Sequence, residues 1–401
     1  MRSLTTSIDT DLDGSPEPEI PPERPRARPG TTRRTRILAL LLACAAGAAF
    51  VYLDLNYKPA ASPEWKPGPF EPPVQYAFVP EDSACHDSMP TKPEGAEPEL
   101  VTCTDWHLHV NYRRGEGKRE LNIPYGVGCG GFDTDEDDCT SDIPLFDAAS
   151  QVRTTAGELR GVPLAITPDG HSIAYFSNTW KRYLGWDLRT GKRTAISPPL
   201  DAKAFNDLLS VEVSPDGAFY ALAFSGNRPR LLITESATGR TTTLPGFCQV
   251  FGVSRAAEVI AARRVCRENG TVTILDRRGS VTAEWPGGDF VGDLSPDGRM
   301  LPEVLTTFGE DGKEFLVLRA AETGEIVRKL ELRLLSEPSD AIGHGWLDTD
   351  EYIVNAEAPE PGGGSFGYYR VNVRTGDSQR LRQLPLELGQ AVSLGDVRKG
   401  R

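Results

Sequence analysis

A turn of the form Ser/Thr-Pro-Asp-Gly occurs three times in this chain of 401 residues, and it constrains the fold more than any other feature. In such a turn, proline presets φ, aspartate can bond its own backbone and glycine accepts a positive φ. A short apolar run follows each turn, as expected for a strand. We interpret these residues as structural turns rather than as ligands. They are Pro168, Asp169, Gly170, Pro215, Asp216, Gly217, Pro296, Asp297 and Gly298.

The spacing of the turns predicts a repeated unit. Their prolines lie at 168, 215 and 296, so the first interval is 47 residues and the second is 81, close to twice a repeat of about 40 residues. A decayed copy is therefore expected midway, and residues 251–279 fit it. Residues 345–376 form a further degenerate unit. Five units of roughly 40 to 50 residues, each with four short strands, are the signature of β-propeller blades.

One more blade is expected before the first turn. Its first half is assigned to residues 100–123 and its second half to residues 145–157. We predict an all-β propeller of six four-stranded blades, with seven as the neighbouring count. Because a closed ring leaves no sheet edge, residues 390–394 should pair with N-terminal strands and close it.

The turn, the strand after it and a later Asp-x-x-Thr-Gly together resemble the WD-like repeats of TolB-type periplasmic propellers. The resemblance covers residues 164–394 and is close at three turns. The unit at Phe251 has lost Pro-Asp-Gly, and the unit at Leu347 keeps only acidic turn residues. The resemblance implies a propeller, here in a membrane-anchored bacterial envelope form. It specifies little about function, because such propellers include binders, enzymes and scaffolds.

The N-terminal part of the chain divides by composition. Residues 1–36 are rich in proline and charge and are predicted to be a disordered cytoplasmic tail. An uncharged apolar run follows a basic cluster, so we predict one transmembrane helix at 37–54 with the N-terminus inside. The proline-rich residues 55–98 are predicted to be an extracytoplasmic stalk, with a first strand at 74–79, and residues 99–401 the propeller domain.

Two other export signals compete with the transmembrane helix. Leu41 to Cys44 resembles a lipoprotein signal in which Cys44 would be lipidated, but the apolar run continues past this cysteine. Residues 32–38 resemble a twin-arginine signal, but Arg36 stands where that pattern has an apolar residue. A single-pass anchor therefore remains the preferred interpretation.

Six cysteines lie on the proposed outer side and fall into three couples that are close in sequence. Such usage is typical of exported proteins, in which disulfides form and persist. Six cysteines allow fifteen connectivities, so the pairing stays open. None of the couples has the Cys-x-x-Cys spacing of a zinc ribbon. The disulfide candidates are Cys85 with Cys103, Cys129 with Cys139, and Cys248 with Cys266.

Three patterns could carry chemistry, and we interpret each of them structurally. Residues 363–367 match G-x-S-x-G, but no histidine follows them, so we predict a hairpin loop. Asp105, His107 and His109 alternate along one predicted strand but have no fourth metal ligand nearby. The acidic loop 133–138 lacks the glycine and the bidentate glutamate of a calcium loop. We therefore predict no catalytic residue, no cofactor and no metal site.

The net charge of −13 argues against a nucleic-acid partner, since phosphates require a basic surface. We predict a membrane-tethered extracytoplasmic propeller that binds an envelope protein or a ligand, of unknown identity, through its blade-end loops and without catalysis. One alternative is an envelope signal transducer whose cytoplasmic tail docks a regulator. A further alternative is a propeller hydrolase or lyase, which predicts carboxylates or histidine converging in the central channel.

Overall fold

The computed structural model describes part of the chain, all of it within one structural unit, Lys66–Arg401. The predicted cytoplasmic tail and transmembrane helix lie outside the described residues. Within the described part, no helix is long and apolar enough to cross a membrane. The described residues are 73–80, 102–104, 106–113, 138–153, 159–264, 270–287, 291–306, 313–334, 341–360, 363–381, 384 and 391–397.

Short strands make up nearly all of the regular structure. The strands before the α-helix are β1 (Val74–Phe78), β2 (Thr102–Cys103), β3 (His107–Arg113), β4 (Asp138–Pro144), β5 (Gln151–Arg153), β6 (Leu159–Gly161), β7 (Ala165–Ile166), β8 (Ser172–Ser177), β9 (Arg182–Asp187) and β10 (Arg193–Ala195). The α-helix is α1 (Ala202–Asn206), and a 3-10 turn occurs at Arg255–Ala257.

The strands after the helix complete the fold. They are β11 (Leu208–Val213), β12 (Phe219–Phe224), β13 (Arg230–Glu235), β14 (Thr241–Pro245), β15 (Gln249–Val253), β16 (Ile260–Arg263), β17 (Thr271–Leu275), β18 (Val281–Pro286), β19 (Met300–Thr306), β20 (Glu314–Ala320), β21 (Ile326–Glu331), β22 (Ala341–Trp346), β23 (Glu351–Glu360), β24 (Gly363–Asn372), β25 (Ser378–Arg380) and β26 (Val392–Leu394).

These strands form seven antiparallel sheets in the described part of the chain. Sheet A has the order β26-β1-β3-β4, and sheet B has the order β2-β5-β6. Sheet C contains β7 to β10, sheet D β11 to β14, sheet E β15 to β18, sheet F β19 to β21 and sheet G β22 to β25. In sheets C to G, neighbours in the sheet are also neighbours in sequence, as in a meander.

Burial explains the composition of the strands. The middle strands of a sheet are covered on both faces, so they are nearly continuous apolar runs: all six residues of β8 are buried. The outermost strands have one open face and alternate, as in β14, where Thr242 and Leu244 are the more buried residues. The apolar runs after each turn are therefore the middle strands of the sheets.

Six hydrophobic cores arrange these sheets in a cycle. They lie between A and C, C and D, D and E, E and F, F and G, and G and A. Sheet B contributes Val152 to the core between C and D and does not interrupt the contact between A and C. A closed cycle of antiparallel sheets is a β-propeller, so the prediction of an all-β propeller is confirmed.

The first and last described strands close the cycle. In sheet A, β26 pairs with β1, with Leu394 opposite Tyr76. This pairing confirms the prediction that residues 390–394 join an N-terminal strand. It also moves the start of the propeller: β1 lies within residues 55–98, the range that the sequence assigned to the stalk. The boundary at residue 99 is therefore too late, because the sheet needs a partner for β26.

The blade predicted from residues 100–123 and 145–157 is divided between two sheets. Its strand β3 belongs to sheet A, whereas β2, β5 and β6 form sheet B. The reason is that β4 already pairs with β3 in sheet A. The chain then leaves that sheet, and Ala148 forms a bridge with Ser177 of sheet C.

The degenerate repeats are confirmed as sheets. Residues 251–279 contribute to sheet E, and residues 345–376 contribute to sheet G. The glycine-rich segment 363–367 lies at the start of β24, where Ser365 pairs with Ala358 of β23. It is thus part of a hairpin strand rather than the predicted hairpin loop, and it is not a strand-to-helix elbow.

Candidate functional site in the central cavity

The predicted turn aspartates are engaged in their own turns. Asp169, Asp216 and Asp297 each accept a hydrogen bond from the preceding hydroxyl, at 2.6, 2.6 and 2.7 Å. The backbone N–H two residues further on also donates to each carboxylate. With their acceptor positions occupied in this way, these aspartates hold the turn rather than offering themselves to a ligand.

The turn glycines adopt positive φ and pack on the preceding sheet. Gly217 has φ +66°, and a Cβ built on it would lie 2.3 Å from Ser172 Oγ of sheet C. Gly170 has φ +70°, and its Cβ would lie 2.3 Å from the backbone oxygen of Val74 in sheet A. Both positions therefore require glycine, for backbone conformation and for space.

Two of the six candidate cysteines have described side chains. Cys103 and Cys248 are both disulfide-bonded. Cys85, Cys129 and Cys266 lie outside the described residues, and Cys139 lies in β4, where its side chain is not described. The three predicted pairings therefore stay predictions.

The two histidines on β3 have aromatic and acidic partners. His109 stacks on Tyr76 with ring centroids 4.4 Å apart, and its Nδ1 lies 2.6 Å from Asp142 Oδ1. His107 lies 5.6 Å from the Phe78 ring. Asp105 and residues 133–137 are outside the described part. Among the residues that the structure does describe, no three His, Cys, Asp or Glu side chains form a metal-binding group.

A cavity of about 220 Å³ lies where the inner edges of sheets A, C, D, E, F and G meet. Its walls include β7, β11, β15, β22 and β26. Sheet F contributes residues 293–294, which follow the bridge between Val291 and Glu303 of β19. The prolines of the three turns, Pro168, Pro215 and Pro296, also line the cavity. The turns thus lie at one side of the channel enclosed by the sheets.

Two carboxylates and an imidazole face this cavity: Glu212, Asp293 and His344. Glu212 and Asp293 occupy equivalent positions, each three residues before a turn proline, and the third equivalent position is Ala165. All three side chains retain partial solvent access through the cavity, although protein surrounds them on the other sides.

Aromatic side chains of sheet G fix the backbone at Asp293. Trp346 Nε1 donates a hydrogen bond of 2.6 Å to the Asp293 carbonyl oxygen. The Tyr352 hydroxyl accepts a hydrogen bond from the Asp293 N–H. This hydroxyl fits between Gly292 and Gly343, where an added Cβ would lie 2.5 and 2.3 Å from it. The position of the Asp293 carboxylate is therefore set by the packing of two neighbouring sheets.

His344 occupies a β-bulge. In the pairing of β22 with β23, Gly343 is opposite Val354 and Gly345 is opposite Ile353, so His344 is the extra residue. Gly345 has φ +141°, which an L side chain rarely adopts. Bulges re-aim side chains and are frequent beside functional sites. Here the bulge accompanies an imidazole that lines the cavity and has its ring 5.2 Å from that of Tyr368.

The pKa values of these three groups are shifted so that each group favours its uncharged form. Burial raises the pKa of Glu212 well above its usual value, and the nearby charge of Asp293 adds to the rise. Burial also raises the pKa of Asp293. Burial lowers the pKa of His344 to about 4, so its ring is neutral at physiological pH. The acid pair therefore retains protons at pH values where exposed carboxylates have lost them.

None of these three residues was singled out in the sequence. The signal that could have revealed them is a comparison of the repeats at the position three residues before the turn proline. This position is Ala165 in one copy and an acid, Glu212 or Asp293, in the other two. An acid within an otherwise apolar inner strand is expensive to bury and therefore informative.

Comparison with known proteins gives relatives in fold only. No family profile and no curated protein sequence matches this chain. Solved structures that resemble it include TolB from Acinetobacter baumannii, at 16% identity and TM-score 0.41 over 86% of this chain and 70% of that chain. Hydrazine synthase from Kuenenia stuttgartiensis matches 54% of this chain at 16% identity and TM-score 0.37, and the match spans 64% of its own length.

The tricorn protease is a third such structure, at 12% identity and TM-score 0.34 over 59% of this chain and 29% of that chain. The chain is a β-propeller protein. This assignment rests on its own sheets and cores.

Proposed function

We propose that this protein is a non-catalytic binding module whose ligand enters the central cavity of a six-bladed propeller. Sheets A, C, D, E, F and G are the six blades in this proposal, and sheet B is an addition beside blades C and D. The observation that carries the proposal is the presence of Glu212 and Asp293 in the cavity without any compensating cation among its lining residues. Groups that are expensive to bury are retained where they serve a function.

The site differs from the one that the sequence suggested. The sequence predicted binding at the blade-end loops, whereas Glu212 and His344 lie on strands β11 and β22, Asp293 follows the bridge at Val291, and all three line the cavity. A strand positions a side chain more precisely than a loop does. A partner protein would reach this site with a protruding segment rather than with a flat surface.

We further propose that the propeller is tethered outside the cytoplasm. The support is the apolar run 37–53 after Arg33, Arg34 and Arg36, together with the disulfide-bonded state of Cys103 and Cys248. Labelling with a membrane-impermeant maleimide after mild reduction tests this location in intact cells. Labelling of intact cells agrees with an outer propeller, and labelling only after lysis contradicts it.

A cavity-filling variant tests the binding function. A panel of amines, amino acids, carboxylic acids, sugars and short peptides is screened for compounds that raise the melting temperature. Ala165→Phe places a ring into the cavity, and Ala237→Phe adds the same ring at an exposed turn. We expect hits on the wild type and on Ala237→Phe that are lost on Ala165→Phe. Hits that persist on Ala165→Phe, or no hits at all, contradict the proposal.

The acid pair also favours a second candidate, a propeller enzyme that uses a shared proton as general acid or base. The convergence of Glu212, Asp293 and His344 is the arrangement that this alternative predicts. Incubating the same panel with the protein and following the compounds by NMR distinguishes the two. Conversion that is lost in Asp293→Asn favours the enzyme, and unchanged compounds that bind favour the module.

A further inference from the structure

Glu212 and Asp293 are an uncompensated pair of acids. Each lines the cavity; burial raises the pKa of both, and the charge of Asp293 adds to the rise for Glu212. No Lys or Arg is among the described residues of the lining. Elsewhere in the fold, a buried acid has such a partner: Glu303 accepts a hydrogen bond of 2.9 Å from Arg319 Nε. The described lining of the cavity therefore carries two acids and no positively charged side chain beside them.

Within the described part of the chain, the acidic and imidazole side chains of the cavity also have no hydrogen-bond partners. Among the described residues, neither the carboxylates of Glu212 and Asp293 nor the His344 ring has a hydrogen-bond partner. His344 is enclosed by protein almost completely and faces the cavity as a neutral ring, with an acceptor nitrogen available. Three acceptors converge on one space, and a donor-rich group would satisfy them.

Apolar side chains form much of the remaining lining and limit the size of the ligand. Ile166, Val213, Val253, Leu294 and Leu394 belong to the walls of a cavity of about 220 Å³. An aliphatic chain fits such walls, because its burial is favourable and needs no polar partner. A metal ion fits less well, since the described residues offer no group of three ligands.

We propose that the cavity binds an organic cation, an ammonium or guanidinium group on a short aliphatic chain, with the charged group between Glu212 and Asp293 and within reach of His344. This inference rests on the proposed binding function and names the chemistry of its ligand. The cation replaces the protons that the acid pair retains in the empty protein. Binding should therefore release protons and strengthen as the pH rises.

Titration calorimetry on the full-length protein tests the proposal with four probes: 1,4-diaminobutane, agmatine, 1-butanol and calcium chloride. We expect the two cations to bind and the alcohol and calcium not to. Affinity should fall by roughly tenfold for each pH unit below the pKa of the pair if one proton is displaced. Glu212→Gln and Asp293→Asn should each weaken binding at least tenfold, whereas Glu325→Gln, at an exposed position, should leave it unchanged.

Two peptides of alanine with one central lysine or arginine identify the source of the cation. Stronger binding of the peptides than of the free amines points to a side chain of a partner protein, and the reverse points to a small molecule; both support the proposal. Equal binding of 1-butanol and diaminobutane, or calcium binding that Asp293→Asn removes, would overturn it.

The outcome separates this inference from the function on which it rests. If only neutral or anionic ligands bind the wild type and not Ala165→Phe, the proposed binding function stands and the proposed cationic ligand is refuted. Absence of any ligand sensitive to Ala165→Phe would refute both.

Discussion

Two acids four residues apart, Glu212 and Asp216, have opposite environments in the same segment. Asp216 accepts hydrogen bonds from Ser214 Oγ and from the backbone N–H groups of Ala218 and Ala256. Burial alone would raise its pKa, but these hydrogen bonds outweigh it and hold the pKa below its usual value. Glu212 has no such donors, and burial followed by the charge of Asp293 raises its pKa.

The difference shows how a repeat separates structure from function. The acid that recurs in every clear copy accepts hydrogen bonds from its own turn. Asp216 also accepts one from Ala256 N–H, in the segment after β15, and so links its turn to the next sheet. The acid that occurs in only two copies is left without a protein partner. In this propeller, the recurrent residue stabilises the fold and the variable one is available to a ligand.

The largest effect is expected where the turn itself is broken. Gly217→Ala introduces a Cβ at φ +66° and 2.3 Å from Ser172 Oγ. We expect the free energy of unfolding to fall by about 3 kcal/mol, from backbone strain and displacement of the neighbouring sheet. Urea denaturation monitored by tryptophan fluorescence measures it. Gly161→Ala is the control, since no atom lies within 4 Å of its added Cβ; equal losses in both variants would remove the special role of the turn.

A smaller loss is expected from the turn acid. Asp216→Ala removes an acceptor of three hydrogen bonds and should lower the free energy of unfolding by about 1 to 2 kcal/mol near neutral pH. The pKa of Asp216 is lowered in the folded protein. Its contribution to the free energy of unfolding is therefore present above the pKa of the unfolded chain, and it is lost as the pH falls through the pKa of the folded protein. The difference from wild type should therefore shrink in acid.

Urea denaturation across the acid range checks this pH dependence. Glu258→Ala, at an exposed position between β15 and β16, should show little change at any pH. A deficit of Asp216→Ala that grows as the pH falls would contradict the role given to its charge.

The smallest effect, of opposite sign, is expected from the cavity acid. The pKa of Glu212 is raised in the folded protein. Its favourable contribution to the free energy of unfolding is therefore fully present below the pKa of the unfolded chain, and it is lost as the pH rises through the pKa of the folded protein. Glu212→Gln should thus be more stable than wild type by about 1 kcal/mol at about pH 8, and nearly equal to it at about pH 4. The same denaturation series measures this. A destabilised Glu212→Gln at high pH would show that Glu212 is structural, and the comparison with Asp216 would fail.

Much of the fold follows from local sequence physics. Proline, aspartate and glycine at three turns specify backbone conformations directly, and the doubled interval between Pro215 and Pro296 predicted the sheet that β15 begins. The pairing of β26 with β1 followed from the need to cover sheet edges. These inferences succeed because each depends on a few residues that are close in sequence or on a general rule of sheets.

The remaining features depend on contacts between distant residues. Nothing local shows that β1 lies in sheet A rather than in a stalk, since one of its two pairing partners, β26, is more than 300 residues away and the other, β3, lies beyond β2 in the chain. Sheet B combines β2 with β5 across β3 and β4. The candidate site is of the same kind: Glu212, Asp293 and His344 lie on three different sheets. Only closure of the cycle brings them to one cavity.

The pairing of β26 with β1 also sets the order of events during synthesis. Ribosomes make β26 last among the described strands, and Val392, Ser393 and Leu394 form part of the cavity wall. A nascent chain that has not reached Val392 has an unsealed ring and an incomplete cavity. Truncated translation products would thus have an open cavity wall, so the proposed ligand site would be complete only after Leu394 has been added.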